Sequence, residues 1–417
     1  MKQTLLKLKL LLHVLIIISV TLLTSAESRA QYLLNNDSAF KAGTPNSGRL
    51  WGYAFGDYYY KAHSDSFNRG GKAQYTGIPQ GRTAFQFRRI YLGYDYNISA
   101  KFSAELLLAM EDNFPAGNPP SSSAPSGDLL QDNKIAPYIK YMDLRWKDIW
   151  KGTDLVVGQQ PTPLSAYSEK LWTYRPLERV MTDFTGSTGT YDMGVSLQGA
   201  FDPNTKNYGY FLMVGNGSKA VPESDNFKWF YSEIWGKLFD KHLELHLYQD
   251  YERINWTPTW HHDRAMTKGL IAYTTPAITI GVEGYINKLH KDNFASRKLG
   301  GIDTLNVTAN GISVFVRGPI IKDKLGFVVR FDSFNPNENI DNDTYNKYSG
   351  TTPGYNDPTT KQVFFLAALD WTATKNVHFM PNIWYSHYAT QLAGLTGKIN
   401  GDYDLVWRLT FFFTFGK

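Results

Sequence analysis

The chain has 417 residues, no cysteine, 15% aromatic residues, 19% charged residues and a formal net charge of +5. The lack of cysteine excludes disulfides, thiolate catalysis, iron–sulfur clusters and cysteine-based zinc sites within this chain. The aromatic content argues against a disordered chain, and no repeat of fixed period supports a solenoid.

Residues 1–30 have the pattern of a secretory signal peptide. A positive start is followed by an apolar run over 10–23, which is shorter than the ~20 residues that a spanning helix needs. The positive residues of that start are Lys2, Lys7 and Lys9. We expect cleavage after Ala26 or Ala30, with Ala30 favoured. Most of the net positive charge lies in this segment, so the mature chain gives no support for nucleic-acid binding.

Patterns of period two recur along the rest of the chain and predict about sixteen strands. In the last one, Trp407 and Leu409 share one face, while Arg408 and Thr410 share the other. An apolar and a polar face are expected when a strand meets lipid on one side and water on the other. The predicted strands are roughly 50–60, 83–97, 102–110, 136–146, 153–159, 191–201, 208–216, 230–239, 243–253, 264–274, 278–289, 304–318, 325–334, 361–372, 377–388 and 402–415.

The predicted connections alternate strictly between long and short. The long ones are about 61–82, 111–135, 160–190, 217–229, 254–263, 290–303, 335–360 and 389–401. A meander with every long loop on one side predicts an all-β, transmembrane antiparallel β-barrel. The predicted domains are the signal peptide at 1–30, a lead-in segment at 31–49 and the outer-membrane barrel at 50–417.

Aromatic residues near the predicted strand ends fit girdles at the headgroup level. They are Tyr58, Tyr59, Tyr94, Tyr96, Trp371, Trp384, Trp407 and the run Phe411–Phe413. Ordinary strand packing is the alternative, because aromatic residues favour strands in general.

The third long connection, 160–190, is predicted to fold into the lumen and narrow it. Pro161 and Pro163 end strand pairing, and Ser165 with Ser168 or Glu169 can begin a short helix. A sixteen-strand barrel leaves an aqueous lumen, whose diameter and field such a loop would set. Its charged residues predict a constriction with a mild preference for anions, unless they pair with each other or with the wall. The predicted constriction residues are Lys170, Arg175, Arg179, Glu169 and Glu178.

Alternation assigns charges of both signs to the lumen wall, although a slip of one residue would turn a whole strand over. The predicted lumen-lining cations are Arg89, Arg145, Lys237, Lys268, Arg317, Arg330 and Arg408. They lie among Glu105, Asp143, Glu233, Glu244, Glu283, Asp332 and Asp370.

Several segments resemble the phosphate-selective porin family, in particular porin-like members from Bacteroidetes-type bacteria. The segments that carry the resemblance are Val157–Leu164, Glu169-Lys170, Trp172, Tyr174–Glu178 and Tyr191–Gly199, with Arg88–Tyr94 and Phe102–Ala104 as a second hairpin. The resemblance implies a trimeric, sixteen-stranded outer-membrane barrel that passes anions or small solutes. It also implies an arginine run and a lysine cluster in the lumen, whereas the predicted lumen of this chain is mixed in charge.

We therefore expect a porin for passive diffusion of small hydrophilic solutes, with a preference for anions such as phosphate as the finer expectation. The expected partners are outer-membrane lipid, the solute and two further copies in a homotrimer, without nucleic acid, cofactor or metal. A structural, adhesion or surface-receptor barrel with an occluded lumen is one alternative. An oligosaccharide channel that uses Tyr91, Trp235, Tyr248 and Tyr285 for stacking is another.

Enzyme and metal chemistry are not expected. Ser386 and His387 could suggest a barrel hydrolase, but neighbours in a strand cannot form a catalytic dyad. By the same alternation, the triplet His261–Asp263 should point to opposite faces. The acidic residues of the seventh long loop lack the glycine and terminal glutamate of an EF-hand. Those loop residues are Asn337, Glu338, Asp341 and Asp343.

Overall fold

The computed structural model describes residues 44–71, 73–111, 135–350 and 357–416. The predicted signal peptide and residues 31–43 of the lead-in segment lie outside these ranges. The strands are β1 Ser47–His63, β2 Thr83–Asn97, β3 Phe102–Glu111, β4 Pro137–Trp150, β5 Thr153–Pro161, β6 Tyr191–Ala200, β7 Tyr208–Gly215, β8 Trp229–Leu238, β9 Leu243–Thr257, β10 Trp260–Thr274, β11 Thr279–Arg297, β12 Ile302–Ile321, β13 Leu325–Asn335, β14 Tyr345–Gly350, β15 Thr360–Thr374, β16 Val377–Thr390 and β17 Gly401–Phe415.

These strands form one closed antiparallel sheet. Each wall strand pairs with its neighbour in sequence, and β1 pairs with both β2 and β17, which closes the cylinder. Among the described residues, β14 pairs only with β11, while β13 pairs directly with β15, so β14 stays outside the wall. Sixteen strands therefore build the barrel, and the predicted fold class is confirmed.

Two predicted long loops are wrong. β9 and β10 run on as a hairpin in which Trp260 pairs with Thr257, and β11 and β12 extend until Ser296 pairs with Ile302. Water reaches both faces of a hairpin that extends beyond the membrane. Apolar and polar residues then need not alternate along its strands, although the hydrogen bonds between the strands continue. The strict alternation of loop lengths therefore fails at the fifth and sixth long connections.

The two faces of the wall differ sharply in polarity. In β17, Trp407 and Leu409 are exposed, while Arg408 and Thr410 are buried. Large apolar side chains are exposed on the same outward face around the barrel, and they include Leu212, Leu247, Ile271, Ile286 and Phe331. Buried polar side chains on the inward face include Glu233, Lys268, Glu283, Arg330 and Asp404. The outward face of the cylinder is therefore apolar, whereas the inward face carries buried polar and charged side chains.

The aromatic residues divide between these faces. Tyr58, Tyr94, Trp371 and Trp407 are exposed, as girdle residues should be. The girdle prediction is wrong for Tyr59, Trp384 and Phe412, which are at most 1% exposed. Successive side chains of a strand point to opposite faces, so Tyr58 and Tyr59 cannot both face outward.

The helical segments of the described chain are short. They are a π-helical turn at Leu164–Ser168 and helices at Glu169–Trp172, Met181–Phe184 and Gly397–Asn400. Within the described residues, no helix has the length and apolarity needed to cross a membrane. Three of these segments belong to the connection between β5 and β6, residues 162–190, which forms the structural counterpart of the predicted loop 160–190.

The apolar core lies where this connection meets the inward face of the wall. One cluster packs Trp172 and Leu177 of the connection against Trp384, Phe412 and Tyr75. A second cluster packs Met181 against residues from β7 to β13, among them Phe211, Tyr248, Tyr285 and Phe334. The wall and the connection thus bury apolar side chains against each other.

Candidate functional site: the inward face and the 162–190 connection

Four arginines of the wall hold the main chain of the 162–190 connection. Their guanidinium groups donate to backbone carbonyls: Arg88 to Pro176, Arg317 to Leu171, Arg330 to Arg179 and Arg408 to Leu177. Irregular backbone lacks the partners that a helix or sheet supplies, and a buried carbonyl needs a donor. The fixed donor fork of arginine fits this task.

Further side chains fix the connection along its length. Lys268 donates to the hydroxyl of Ser168, Trp235 donates to Tyr167 at 3.0 Å, and Trp384 donates to the carboxylate of Glu178 at 2.9 Å. The hydroxyl of Tyr285 lies 2.9 Å from that of Ser187. The wall partners of the connection belong to strands from β2 round to β17, on opposite sides of the cylinder.

The predicted constriction residues are mostly paired within the connection. Arg175 lies between two carboxylates, 3.3 Å from Glu169 and 3.4 Å from Asp183. Arg179 lies 3.5 Å from Glu178. Lys170 is exposed, unlike the other four. The alternative prediction, in which the charges of the connection pair with each other, therefore holds for Arg175 and Arg179.

Burial and charge act in opposite directions on the two glutamates. Burial raises the pKa of Glu169, despite the nearby guanidinium of Arg175. Burial alone would also raise the pKa of Glu178, but Arg179, Arg88 and Arg408 together lower it to about 2. Glu178 is thus a buried carboxylate that stays ionised because cations of the wall and of the connection surround it.

Replacing Glu178 with glutamine should remove a pH-dependent part of the stability. Because the pKa of Glu178 in the folded protein lies below its ordinary 4.5, the ionised carboxylate stabilises the fold above that pH. The contribution is lost as the pH falls from 4.5 towards 2. We expect the difference in free energy of unfolding between wild type and Glu178→Gln to be large at pH 7 and smaller at pH 3. An equal difference at both pH values would contradict this role.

The predicted lumen-lining cations all lie on the inward face, and most are engaged with neighbours. Ion pairs join Arg89 with Glu111 at 3.4 Å, Arg145 with Asp154 at 3.0 Å, Lys237 with Glu244 at 3.1 Å, Lys268 with Glu283 at 3.1 Å and Arg330 with Asp332 at 2.5 Å. Arg408 donates to Asn382 at 2.6 Å in addition to the carbonyl of Leu177. Arg317 has no carboxylate partner in the described part of the chain.

Two inward cations, Arg88 and Lys140, could not be predicted from alternation because each follows from a β-bulge. Arg88 is an extra residue of β2, since Phe55 pairs with Arg89 and the next residue of β1 pairs with Phe87. The bulge buries Arg88 and Arg89 together. Lys140 of β4 is a second such residue, and its ammonium lies 2.7 Å from Glu111. The adjacent pair of Arg88 and Arg89 was the only sequence signal for such a bulge. Alternation alone could not place both side chains on the inward face.

The first long connection also reaches the inward face. Tyr75 is fully buried and donates to Asp57 of β1 at 2.7 Å. Lys61 donates to the carbonyl of Tyr75 at 2.8 Å, and Arg408 donates to its hydroxyl at 3.3 Å. Asp57 further accepts from Thr410 and pairs with Arg88. Two connections therefore meet in one buried network.

The prediction that four aromatic side chains form an accessible row for sugar stacking is wrong. Tyr91, Tyr248 and Tyr285 are at most 4% exposed, because the 162–190 connection and neighbouring side chains cover them. Their hydroxyls are also engaged, for example that of Tyr91 with Glu111 at 2.6 Å. Trp235 is half-buried against Tyr167. Sugars would find no continuous row of accessible rings among these four residues.

The regular alternation of inward and outward side chains also fails at His262 and Asp263. The pairing register with β9 shifts between them, and both side chains are buried, although neighbours in a regular strand would point apart. They have separate partners: His262 lies 3.0 Å from Asp292, and Asp263 lies 2.8 Å from His290. The described residues contain no group of three or more His, Asp or Glu that could hold a metal ion.

No protein-family model and no curated protein matches the chain. Its barrel is similar to the outer membrane channel DcaP of Acinetobacter baumannii, with a TM-score of 0.56 and 10% identity over 91% of this chain and 100% of that chain. Salmonella typhi OmpF, solved with daunomycin, gives a TM-score of 0.54 and 9% identity over 90% and 99% of the two chains. Vibrio cholerae OmpT gives 0.53 and 11% over 91% and 99%. The fold is therefore that of a porin-like barrel.

Proposed function

We propose that this protein is an outer-membrane channel for passive diffusion of small hydrophilic solutes. The observation that carries the proposal is the closed sixteen-strand cylinder with an apolar outward face and a charged inward face. A cylinder of this strand number encloses an aqueous lumen unless loops fill it. Exposed leucine, isoleucine and phenylalanine side chains around the outside match a lipid environment, since a water-soluble protein rarely exposes so much contiguous apolar surface.

The proposal includes export and assembly. Residues 1–30, outside the described residues, would direct export, and the similar proteins from Vibrio cholerae and Acinetobacter baumannii are outer-membrane proteins. A homotrimer is part of the proposal because the sequence resemblance implies one. It is also supported by a trimer form of Vibrio cholerae OmpT, which has a TM-score of 0.51 to this chain.

In this proposal, the 162–190 connection lies across the lumen and narrows it. The support is its hydrogen bonds to inward side chains on opposite sides of the wall, such as Arg88 and Lys268. The remaining water-filled path would follow the wall from β2 to β9. There Arg145 and Lys237 keep 33% and 30% of their side-chain surface exposed, whereas Arg330 of β13 keeps 1%.

We propose the channel without the preference for anions that the sequence suggested. That preference depended on Arg175 and Arg179 as accessible cations. Each of them has a carboxylate partner in the connection, and Arg175 has two. An ion pair presents little net charge to a passing anion. No observation on the inward face favours phosphate in particular.

A barrel with an occluded lumen is the second candidate. Two connections, represented by the buried residues Tyr75 and Trp172, fill part of the interior. If they close the path completely, the protein would act as a receptor or structural barrel. In that case the two connections would close the lumen instead of narrowing it.

Liposome swelling distinguishes the two candidates. Vesicles that contain the purified protein are diluted into isotonic glycerol, glucose or maltose, with protein-free vesicles as the control. We expect swelling that slows as the solute becomes larger, as a narrowed pore requires. A folded protein that gives no swelling even with glycerol would favour the occluded barrel.

A further inference from the structure

A groove of about 570 Å³ lies on the outward face of β6–β9. Two rows of paired outward residues form its walls. One row is Val195, Val214, Phe230 and Tyr251, and the other is Leu197, Leu212, Ser232 and Gln249. The side chains between the two rows point inward and are buried, so the groove opens to the outside of the cylinder. We call it the outward groove.

The outward groove suits a hydrocarbon chain. Its walls expose large apolar side chains such as Leu212, Val214 and Phe230. Within the bilayer, an acyl chain can fill such a groove without leaving a polar group unsatisfied. Ser232 donates to the main-chain carbonyl of Gln249 at 3.1 Å, which satisfies its hydroxyl. The exposed amide of Gln249 can meet the polar linkage between an acyl chain and a headgroup.

Two exposed cations, Arg253 and Lys288, lie beside the end of the outward groove at Tyr251. Arg253 follows Tyr251 by two residues on β9, so both side chains are on the outward face. Lys288 of β11 shares a row with Tyr251 through Ala265 of β10. Neighbouring strands are about 4.8 Å apart, so this row places Lys288 about 10 Å from Tyr251. The small side chain of Ala265 leaves room for a headgroup between them.

Both cations lie where the membrane interface is expected. Arg253 is the eleventh residue of β9 and Lys288 the tenth residue of β11, counted from the short turns. A strand crosses the hydrocarbon core with about 9–11 residues. The preceding outward residues, Tyr251 and Ile286, are aromatic and apolar, as lipid contact requires. Arg253 and Lys288 therefore face the headgroups on the side of the long connections.

The charges of these two cations are not neutralised by the protein. Neither side chain forms an ion pair within the described part of the chain. The guanidinium of Arg253 lies over the ring of Trp256, at 4.3 Å from its centroid. This contact uses the flat face of the guanidinium and leaves its N–H donors available at the edge. Asp263, which pairs in register with Arg253, contacts His290 at 2.8 Å.

We infer that the outward groove and the two cations bind one anionic lipid molecule. Its phosphate accepts hydrogen bonds from Arg253 and Lys288, and one acyl chain lies in the groove. Arginine matches the oxygens of a phosphate with two parallel donors, and the lysine ammonium adds a second charge. A free phosphate would leave the groove empty, whereas an uncharged lipid would leave the cations without a partner. The inference rests on the membrane location included in the proposed function and does not depend on ionic current.

The test is lipid retention by the purified protein, measured by native mass spectrometry from an uncharged detergent. Phosphatidylglycerol and phosphatidylcholine with identical acyl chains are the two probes. We expect the wild type to retain phosphatidylglycerol at a several-fold lower lipid concentration than phosphatidylcholine. The double variant Arg253→Gln/Lys288→Gln should abolish that difference. The matched control is Lys298→Gln/Lys347→Gln, which removes the same charge from exposed positions at a hairpin tip and in β14 and should change nothing.

A second variant tests the groove separately from the charges. Leu212→Trp enlarges a side chain of the groove wall, so it should weaken the retention of both lipids several-fold. Inorganic phosphate at the concentration of the lipid should not displace phosphatidylglycerol, because it lacks the acyl chain. Thermal unfolding followed by far-UV circular dichroism verifies that each variant has folded.

Equal retention of phosphatidylglycerol by the wild type and the double variant would overturn the inference. Displacement of the lipid by inorganic phosphate would overturn it as well and assign the cations to a free anion. An oligomer that Leu212→Trp separates into single chains would assign the groove to a second copy of this chain. Protein that fails to float with vesicles would instead contradict the membrane location in the proposed function.

Discussion

Replacing Asp57 with alanine should lower the free energy of unfolding by about 3–5 kcal/mol, the usual cost of leaving a buried charge without its partner. Asp57 is fully buried between the guanidinium of Arg88 and the hydroxyls of Tyr75 and Thr410. The alanine would leave Arg88 without its carboxylate and release the first connection from the wall. Tryptophan fluorescence during urea unfolding in detergent micelles measures the change.

Asp154→Ala is the matched control for this substitution. Asp154 pairs with Arg145 at 3.0 Å, but the two side chains are 28% and 33% exposed. Exposed ion pairs contribute about 0–1 kcal/mol, because water screens them and the side chains lose entropy. Equal losses of stability in the two variants would contradict the buried network around Asp57.

The second large effect is expected from removing the 162–190 connection. Deleting residues 164–188 and joining the ends with a short glycine–serine linker should raise the single-channel conductance several-fold. The main-chain hydrogen bond from Thr162 to Thr190, at 3.1 Å, shows that the two ends lie close together. A short linker can therefore close the gap without distorting β5 and β6.

The deletion should also uncover wall arginines such as Arg317 and Arg408, whose carbonyl partners disappear. The reversal potential should then move towards anions. Deleting residues 220–225, which are exposed in another connection, is the control and should leave both quantities unchanged. If the conductance of the 164–188 deletion equals that of the wild type, the connection does not narrow the path.

The wall of the barrel could be predicted from the sequence because lipid and water impose opposite demands on alternate residues. In the middle of β17 that contrast is clear, from Trp407 and Leu409 outside to Arg408 and Thr410 inside. The signal disappears where a hairpin rises beyond the lipid, as at Thr257 and Trp260, since both faces are then wet. The strand lengths there depend on backbone hydrogen bonds, which do not produce a pattern in the sequence.

The arrangement of the interior could not be predicted in the same way. Alternation assigns a side chain to a face, but it does not tell which group will lie opposite. Arg330 and Arg408 lie on the inward face, yet they hold main-chain carbonyls of the connection instead of facing open water. Arg88 and Lys140 required bulges, which shift the alternation by one residue and leave no clear sequence signal.

The most direct test of the proposed function is the ionic current through the purified full-length protein in a planar lipid bilayer. We predict discrete upward steps in current, each from the insertion of channels with a water-filled path past the 162–190 connection. Circular dichroism must first show β-structure, and co-flotation with vesicles must show insertion. Folded, membrane-inserted protein that passes no ions would contradict the channel and favour an occluded barrel.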